Sequence, residues 1–248
     1  MALENAKFES YRSYEKFRRA TMRQMRYVHT PQVERFLEAV KETAKRRVCV
    51  LPAGERLWRA QLGCRDSGPD RKPVPHEPER MKPRPRRAQE GRANPKGIPC
   101  LYLARDRSTA IAETRPWKGA HVSVGKFTTC RDLKLVDCTK DERPCKRYGK
   151  EPRPEIREQA VWGSICHAFA RPVNPCDCDD IADYVPTQTI AELLKTQGYD
   201  GIEYRSSLGE GRNIALFDLD AADLVIVYLF KVKNVVVTPQ KTPRYYRV

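Results

Sequence analysis

The sequence has no apolar run long enough to cross a bilayer; near the C-terminus the longest, Leu224 to Phe230, falls far short of a span. The N-terminus, MALENAKFESYRSYEKFRRA, lacks the apolar core of a secretion signal. Both absences point to the cytoplasm. Cysteine pairing is also missing as a pattern. The 9 cysteines are odd in number and scattered, so free thiols are expected rather than a disulfide framework. Acidic charge is in deficit: 47 Lys and Arg face 32 Asp and Glu, a net charge of +15. That surplus suits a nucleic acid, an anionic small ligand, an acidic partner or plain solubility. It forms no single basic stripe with interleaved aromatics, so charge alone does not select among them.

What is present is organised around Ile98 to Phe127, IPCLYLARDRSTAIAETRPWKGAHVSVGKF. A short apolar run carrying Tyr102 predicts a strand. Thr109 to Glu113 predicts the first turns of a helix, with Ser108 as cap. Pro116 ends the helix, and His121 to Phe127 alternates like a second strand. Tyr102 near a strand end and Glu113 on the following helix can line a cleft, although a half-buried tyrosine and a solvated glutamate would fit the same spacing.

At 248 residues the chain can bury one good core with a small appendage. Residues 4–26 read as a helix with Phe8, Tyr11, Tyr14, Phe17 and Thr21 on one face. Thr30 and Pro31 cap and open a second, with Val33, Phe36, Leu37, Val40 and Ala44 inward. Together they predict a helical hairpin packed on the main domain. Arg23 and His29 show an R-x5-H spacing known from some helical ribonucleases, but that histidine falls between the helices.

Val48 to Leu51 and Arg56 to Gln61 read as strands about a turn, with Leu57 and Arg59 sharing a face. An arginine on a half-buried strand is costly unless an anion meets it. Residues 65–97 hold seven prolines and read as a loop that feeds into the Tyr102 strand along the cleft. Leu133 to Asp137 predicts a strand, and Glu155 to Phe169 a helix with Ile156, Ala160, Ile165 and Phe169 inward. Cys176 and Cys178 with His167 match known zinc spacings poorly, and no metal is expected. Pro186-Thr187-Gln188 leads into a helix over Thr189 to Lys195 ended by Gly198. GYDGIEYRSS and NIALF predict a hairpin with Ser206 at the end of its first strand. Leu224 to Lys231 and Val235 to Val237 predict further strand.

LYLARDRSTAIAE, the PTQ-headed helix, GYDGIEYRSS and NIALF together resemble the RES domain, a family named for an Arg, a Glu and a Ser and found as bacterial toxins, often beside an Xre-type antitoxin. The resemblance covers roughly residues 50–237. It implies an α+β, ADP-ribosyltransferase-like fold, with a bent β-sheet core, flanking helices and an NAD cleft. Residues 1–48 would be a helical extension, 49–238 the RES domain and 239–248 a basic tail. The implied activity is NAD degradation by hydrolysis or phosphorolysis, or transfer of ADP-ribose to a macromolecule.

Position by position, the family Arg is Arg59, with Arg56 an alternative. Tyr102 and Glu113 follow, and the Ser is Ser206, with Ser207 close behind. Arg92 and Asn213 are further candidates for substrate contacts. NAD would be a substrate, with no metal. An antitoxin would be the partner, nucleic acid would be met only through that partner, and a nucleic-acid-binding or ribonuclease module is the distant alternative.

Overall fold

A computed structural model describes residues 7–67, 72–84, 87–140, 148–171 and 182–239. The N-terminal pair of helices is present as α1 (Ser13–Arg23) and α2 (Pro31–Ala44). Thr30 caps α2 as expected, its Oγ1 accepting from the Val33 N–H. The first helix starts later than the apolar pattern suggests. Residues 10–13 form a turn fastened by Glu151, whose carboxylate accepts from the Tyr11 N–H at 2.7 Å and the Ser10 hydroxyl at 3.0 Å. Phe8 and Tyr11 are buried nonetheless.

Strands β1 (Val48–Leu51) and β2 (Arg56–Leu62) follow. Within 65–97, read as pure loop, β3 (Arg65–Ser67) pairs with β4 (Lys72–Val74). Pro73 and Pro75 erase the alternation that would have revealed it, and a two-stranded ribbon has free edges where proline is tolerated. Next come β5 (Leu101–Ala104), α3 (Arg107–Glu113), β6 (His121–Thr129) and β7 (Leu133–Asp137). Helices α4 (Pro154–Ala170) and α5 (Val185–Thr196) lead to β8 (Gly201–Arg205), β9 (Arg212–Leu216) and β10 (Ala222–Lys231).

Eight strands form one sheet in the order β1-β7-β8-β9-β5-β2-β6-β10. Its paired neighbours run antiparallel except β7 and β8, whose parallel pairing needs the long crossover that carries α4 and α5. The architecture is α+β, as the resemblance implied.

Strand alternation sends side chains to two faces. On one, Val136, Ile202, Tyr204 and Ala215 meet Phe17, Phe36, Trp162, Ile165, Phe169 and Leu194 from the helices. On the other, Leu51, Leu57, Leu101, Leu103, Phe127 and Leu135 pack around Met81. Ile156 does not join the first face and is exposed. Nine residues at about 100° each place it opposite Ile165 on α4. Helix α5 starts at Val185, earlier than expected, because Pro186 is harmless in a first turn. Gly198, at φ 79°, ends it as the sequence suggested. Val235 to Val237 add no strand: β10 stops at Lys231, opposite His121 where β6 begins, and Val232 makes the last backbone bonds of the pair, with Gly119 and Ala120. Among the described residues no helix is long and apolar enough to cross a membrane.

Candidate active site

The sheet is weakest between β2 and β5, which share a single matched pair, Trp58 with Ala104. Beyond it the strands part, and Arg59 bridges the gap by donating from Nη1 to the Tyr102 carbonyl at 3.0 Å. A side chain thus replaces a missing ladder bond. Burial pulls the Arg59 guanidinium down from its ordinary value, though an arginine stays charged. Its Nε is buried without a hydrogen-bond partner. A desolvated donor of this kind is costly unless something arrives to accept from it.

Glu113 reaches the same cleft from the end of α3. Asp106, not Ser108, caps this helix: Asp106 Oδ1 accepts from the Thr109 N–H at 2.7 Å and from the Ser108 hydroxyl at 2.6 Å. Ser108 lies inside the first turn, where its side chain serves the cap rather than acting as one. At the other end, Glu113 Oε1 accepts from Ser206 Oγ at 2.7 Å and Asn213 Nδ2 at 2.6 Å. Ser206 Oγ itself accepts from the N–H groups of Leu208 and Gly209, so its one proton is directed at Glu113. Oε2 accepts no hydrogen bond among the described residues. One carboxylate oxygen is fixed, and the side chain as a whole is exposed.

Tyr102 is placed differently from a free aromatic handle. Its hydroxyl donates to Asn94 Oδ1 at 2.6 Å and accepts from the Ala93 N–H at 2.9 Å, and burial raises its pKa well above the ordinary value. Asn94 also donates to the carbonyls of Gln89, Pro95 and Ile98, while Gln188 of α5 donates to those of Gly91 and Asn94. The PTQ glutamine is therefore a clasp on the loop beside the cleft. Gly91 is required there, since a Cβ would stand 2.5 Å from the Tyr102 hydroxyl. Asn94→Ala strands the half-buried Tyr102 donor and frees the loop. We expect a loss of about 2–3 kcal/mol in unfolding free energy, read by urea denaturation.

Three adjoining depressions share these residues. One of about 250 Å³ is lined by Trp58, Arg59, Tyr102, Glu113, Tyr204 and Asn213. A second, of about 430 Å³, continues past Glu113 to Arg92, Tyr184 and Ser207. A third, of about 590 Å³, lies on the other side of Arg59 and Tyr102. Arg56 is exposed and lines none of them. Arg92 stacks over Tyr184, 5.2 Å from its centroid, and donates to the Arg171 carbonyl. Tyr204 escaped the sequence reading; it lies opposite Asn213 in β8, which ends at Arg205, so that Ser206 follows the strand rather than closing it. Burial first, then the charge of Glu113, raises its pKa.

Arg23 is exposed and, like His29, lines none of these depressions. Cys176 and Cys178 lie outside the described residues, and among those described no three His, Cys, Asp or Glu residues gather as for a metal. Cys100 borders the third depression but offers no ready nucleophile, because burial pushes its thiol up to about 12.

The RES domain family model matches residues 56–236, and the chain belongs to that family. Among solved structures, one chain of the M. tuberculosis MbcT-MbcA toxin-antitoxin complex is similar over 78% of this chain and 92% of that one, at 16% identity and a TM-score of 0.40. No curated protein matches the sequence.

Proposed function

We propose that this protein is a RES-type toxin that cleaves the bond between nicotinamide and ribose in NAD, emptying the cytoplasmic NAD pool and arresting growth. The observation that carries this reading is the exposed Glu113 carboxylate, held on Oε1 by Ser206 and Asn213 and lining a cleft that Arg59 borders. Departure of nicotinamide leaves a positively charged ribosyl oxocarbenium. Glu113 stabilises that charge and holds the ribose 2′-hydroxyl. The C-terminal end of α3, with its outward carbonyls, favours the same sign of charge. Arg59, which borders the cleft, offers its guanidinium to the diphosphate through charge-assisted hydrogen bonds.

Ser206 and Asn213 position Glu113, and Tyr102 holds the wall. Ser207 and Arg92 line the continuation beyond Glu113. The acceptor is water, giving ADP-ribose, or inorganic phosphate, giving its 1″-phosphate. No metal takes part in this reading.

Glu113 is exposed enough for a macromolecular nucleophile to reach, which favours a second reading as a transferase that modifies one target. A toxin of this kind needs an antitoxin, and membership of the RES family suggests a protein partner of Xre type.

The test is incubation with NAD, with and without phosphate, followed by proton NMR. Free nicotinamide supports cleavage, and its companion product names the acceptor. Intact NAD alongside ADP-ribose attached to a macromolecule would move the assignment to the transferase. Arg59→Lys keeps the charge but loses the planar fork, so KM for NAD should rise about tenfold or more, with a smaller change in kcat, in steady-state assays.

A further inference from the structure

The third depression differs in chemistry from the other two. It opens from Arg59 and Tyr102 and is bordered by Arg80, Lys82, Arg84 and Arg87, with Glu90 as its one carboxylate. Some of this charge is already engaged. Lys82 lies 3.5 Å from Asp223 and 3.7 Å from Asp220, and Arg80 Nε donates to Gln61. Arg84 and Arg87 are different. Both are exposed, and neither forms an ion pair with a described residue. The Arg87 N–H donates to the Arg84 carbonyl at 2.9 Å, which holds the two residues near one another. Arg87 adjoins a fixed point, because Ala88 is buried and its carbonyl accepts from the Gly97 N–H.

Direction along the cleft follows from the reading proposed above, on which this inference rests. If Glu113 marks the ribose that loses nicotinamide and Arg59 the diphosphate, the adenosine half continues beyond Arg59 into this groove. At about 590 Å³ the groove can house a nucleoside. A plain adenosine, however, is neutral and gives Arg84 and Arg87 nothing to bind. Two guanidiniums that line one groove and form no ion pair with a described residue fit a phosphate, which accepts paired, charge-assisted hydrogen bonds from such forks.

We propose that the groove beyond Arg59 binds a phosphate carried on the adenosine ribose, so that the preferred substrate is the 2′-phosphorylated dinucleotide NADP rather than NAD. Arg84 and Arg87 are the specificity-determining residues, on the adenosine side of the substrate cleft.

The experiment separates binding from cleavage. Calorimetry with adenosine 2′,5′-bisphosphate and with 5′-AMP compares ligands that differ by the 2′-phosphate alone and cannot lose nicotinamide. The bisphosphate should bind at least about tenfold tighter, about 1.4 kcal/mol. In R84A/R87A, whose changes are on the surface, that ratio should fall to near one. Equal binding of both ligands to the wild type overturns the proposal, as does a preference that survives in R84A/R87A. In parallel, kcat/KM for NADP should exceed that for NAD by a similar factor and lose the excess in the variant. A retained bisphosphate preference with neither dinucleotide cleaved would sink the cleavage reading and leave the groove standing. Cleavage of both dinucleotides at one rate, with equal binding, would do the reverse.

Discussion

Glu113→Gln should leave a folded protein that releases nicotinamide about 10²–10³-fold more slowly than the wild type. The substitution is nearly isosteric. The glutamine carbonyl can still accept from Ser206 and Asn213, so the hydrogen bonds that hold the side chain survive. What disappears is the negative charge facing the cleft, and with it the stabilisation of the oxocarbenium. The loss should fall on kcat with KM for NAD shifted far less, because Arg59 and the cleft walls are untouched. Because Glu113 is exposed, unfolding free energy should change by no more than about 0.5 kcal/mol. Growth arrest on expression should vanish together with the activity. A variant that still turns over NAD at the wild-type rate would remove Glu113 from the chemistry.

Removal of residues 1–47 should abolish cooperative folding altogether. The family match starts at Arg56, so these residues look dispensable in a comparison of sequences. The core says otherwise. Phe8, Tyr14, Phe17, Val33, Phe36 and Val40 sit in the same buried cluster as Trp162, Phe169, Ile190 and Ile202. Phe17 and Phe36 stack at 4.4 Å, and Trp162 Nε1 donates to Thr43 Oγ1 at 2.9 Å.

Truncating one such phenylalanine to alanine costs about 3–5 kcal/mol, against a total stability of about 5–15 kcal/mol for a typical protein. We infer that the extension folds as part of the domain rather than as an appendage. Circular dichroism of the shortened chain should show no sigmoidal melt, while Phe36→Ala in the full chain should melt as one lowered transition. A shortened chain that melts cooperatively would make the helices a separate unit.

The fold was legible wherever periodicity was clean. Strands β1, β2, β7, β8 and β9 and helix α2 all carry their alternation or cap in the local sequence. Legibility failed where a distant group decided the outcome. Glu151, remote in sequence, sets where α1 begins, and the end of β6 sets where β10 must stop. Prolines hid the β3–β4 ribbon.

The site divides in the same way. Arg59, Tyr102, Glu113 and Ser206 could be named because a family resemblance supplied their order. The convergence of Ser206 and Asn213 on a single oxygen of Glu113 is a matter of hydrogen-bond geometry that no spacing encodes. Asn94 and Gln188 lay in polar text with no periodic signal, and their role exists only once loop and helix meet.

The sheet ends at β10, whose outer side pairs with no strand among the described residues. Val225, Ile226 and Tyr228 are exposed on that strand, 58%, 43% and 38% accessible. A long apolar edge invites another edge to join it. Part of the protection is local, since the register slips between Leu224 and Ile226 and so interrupts a flat template. The remainder is colloidal. Molecules that each carry a net charge of +15 repel one another before their edges can meet, and that barrier thins as salt rises. The basic surplus thus keeps the protein in solution, and its solubility should be a function of ionic strength.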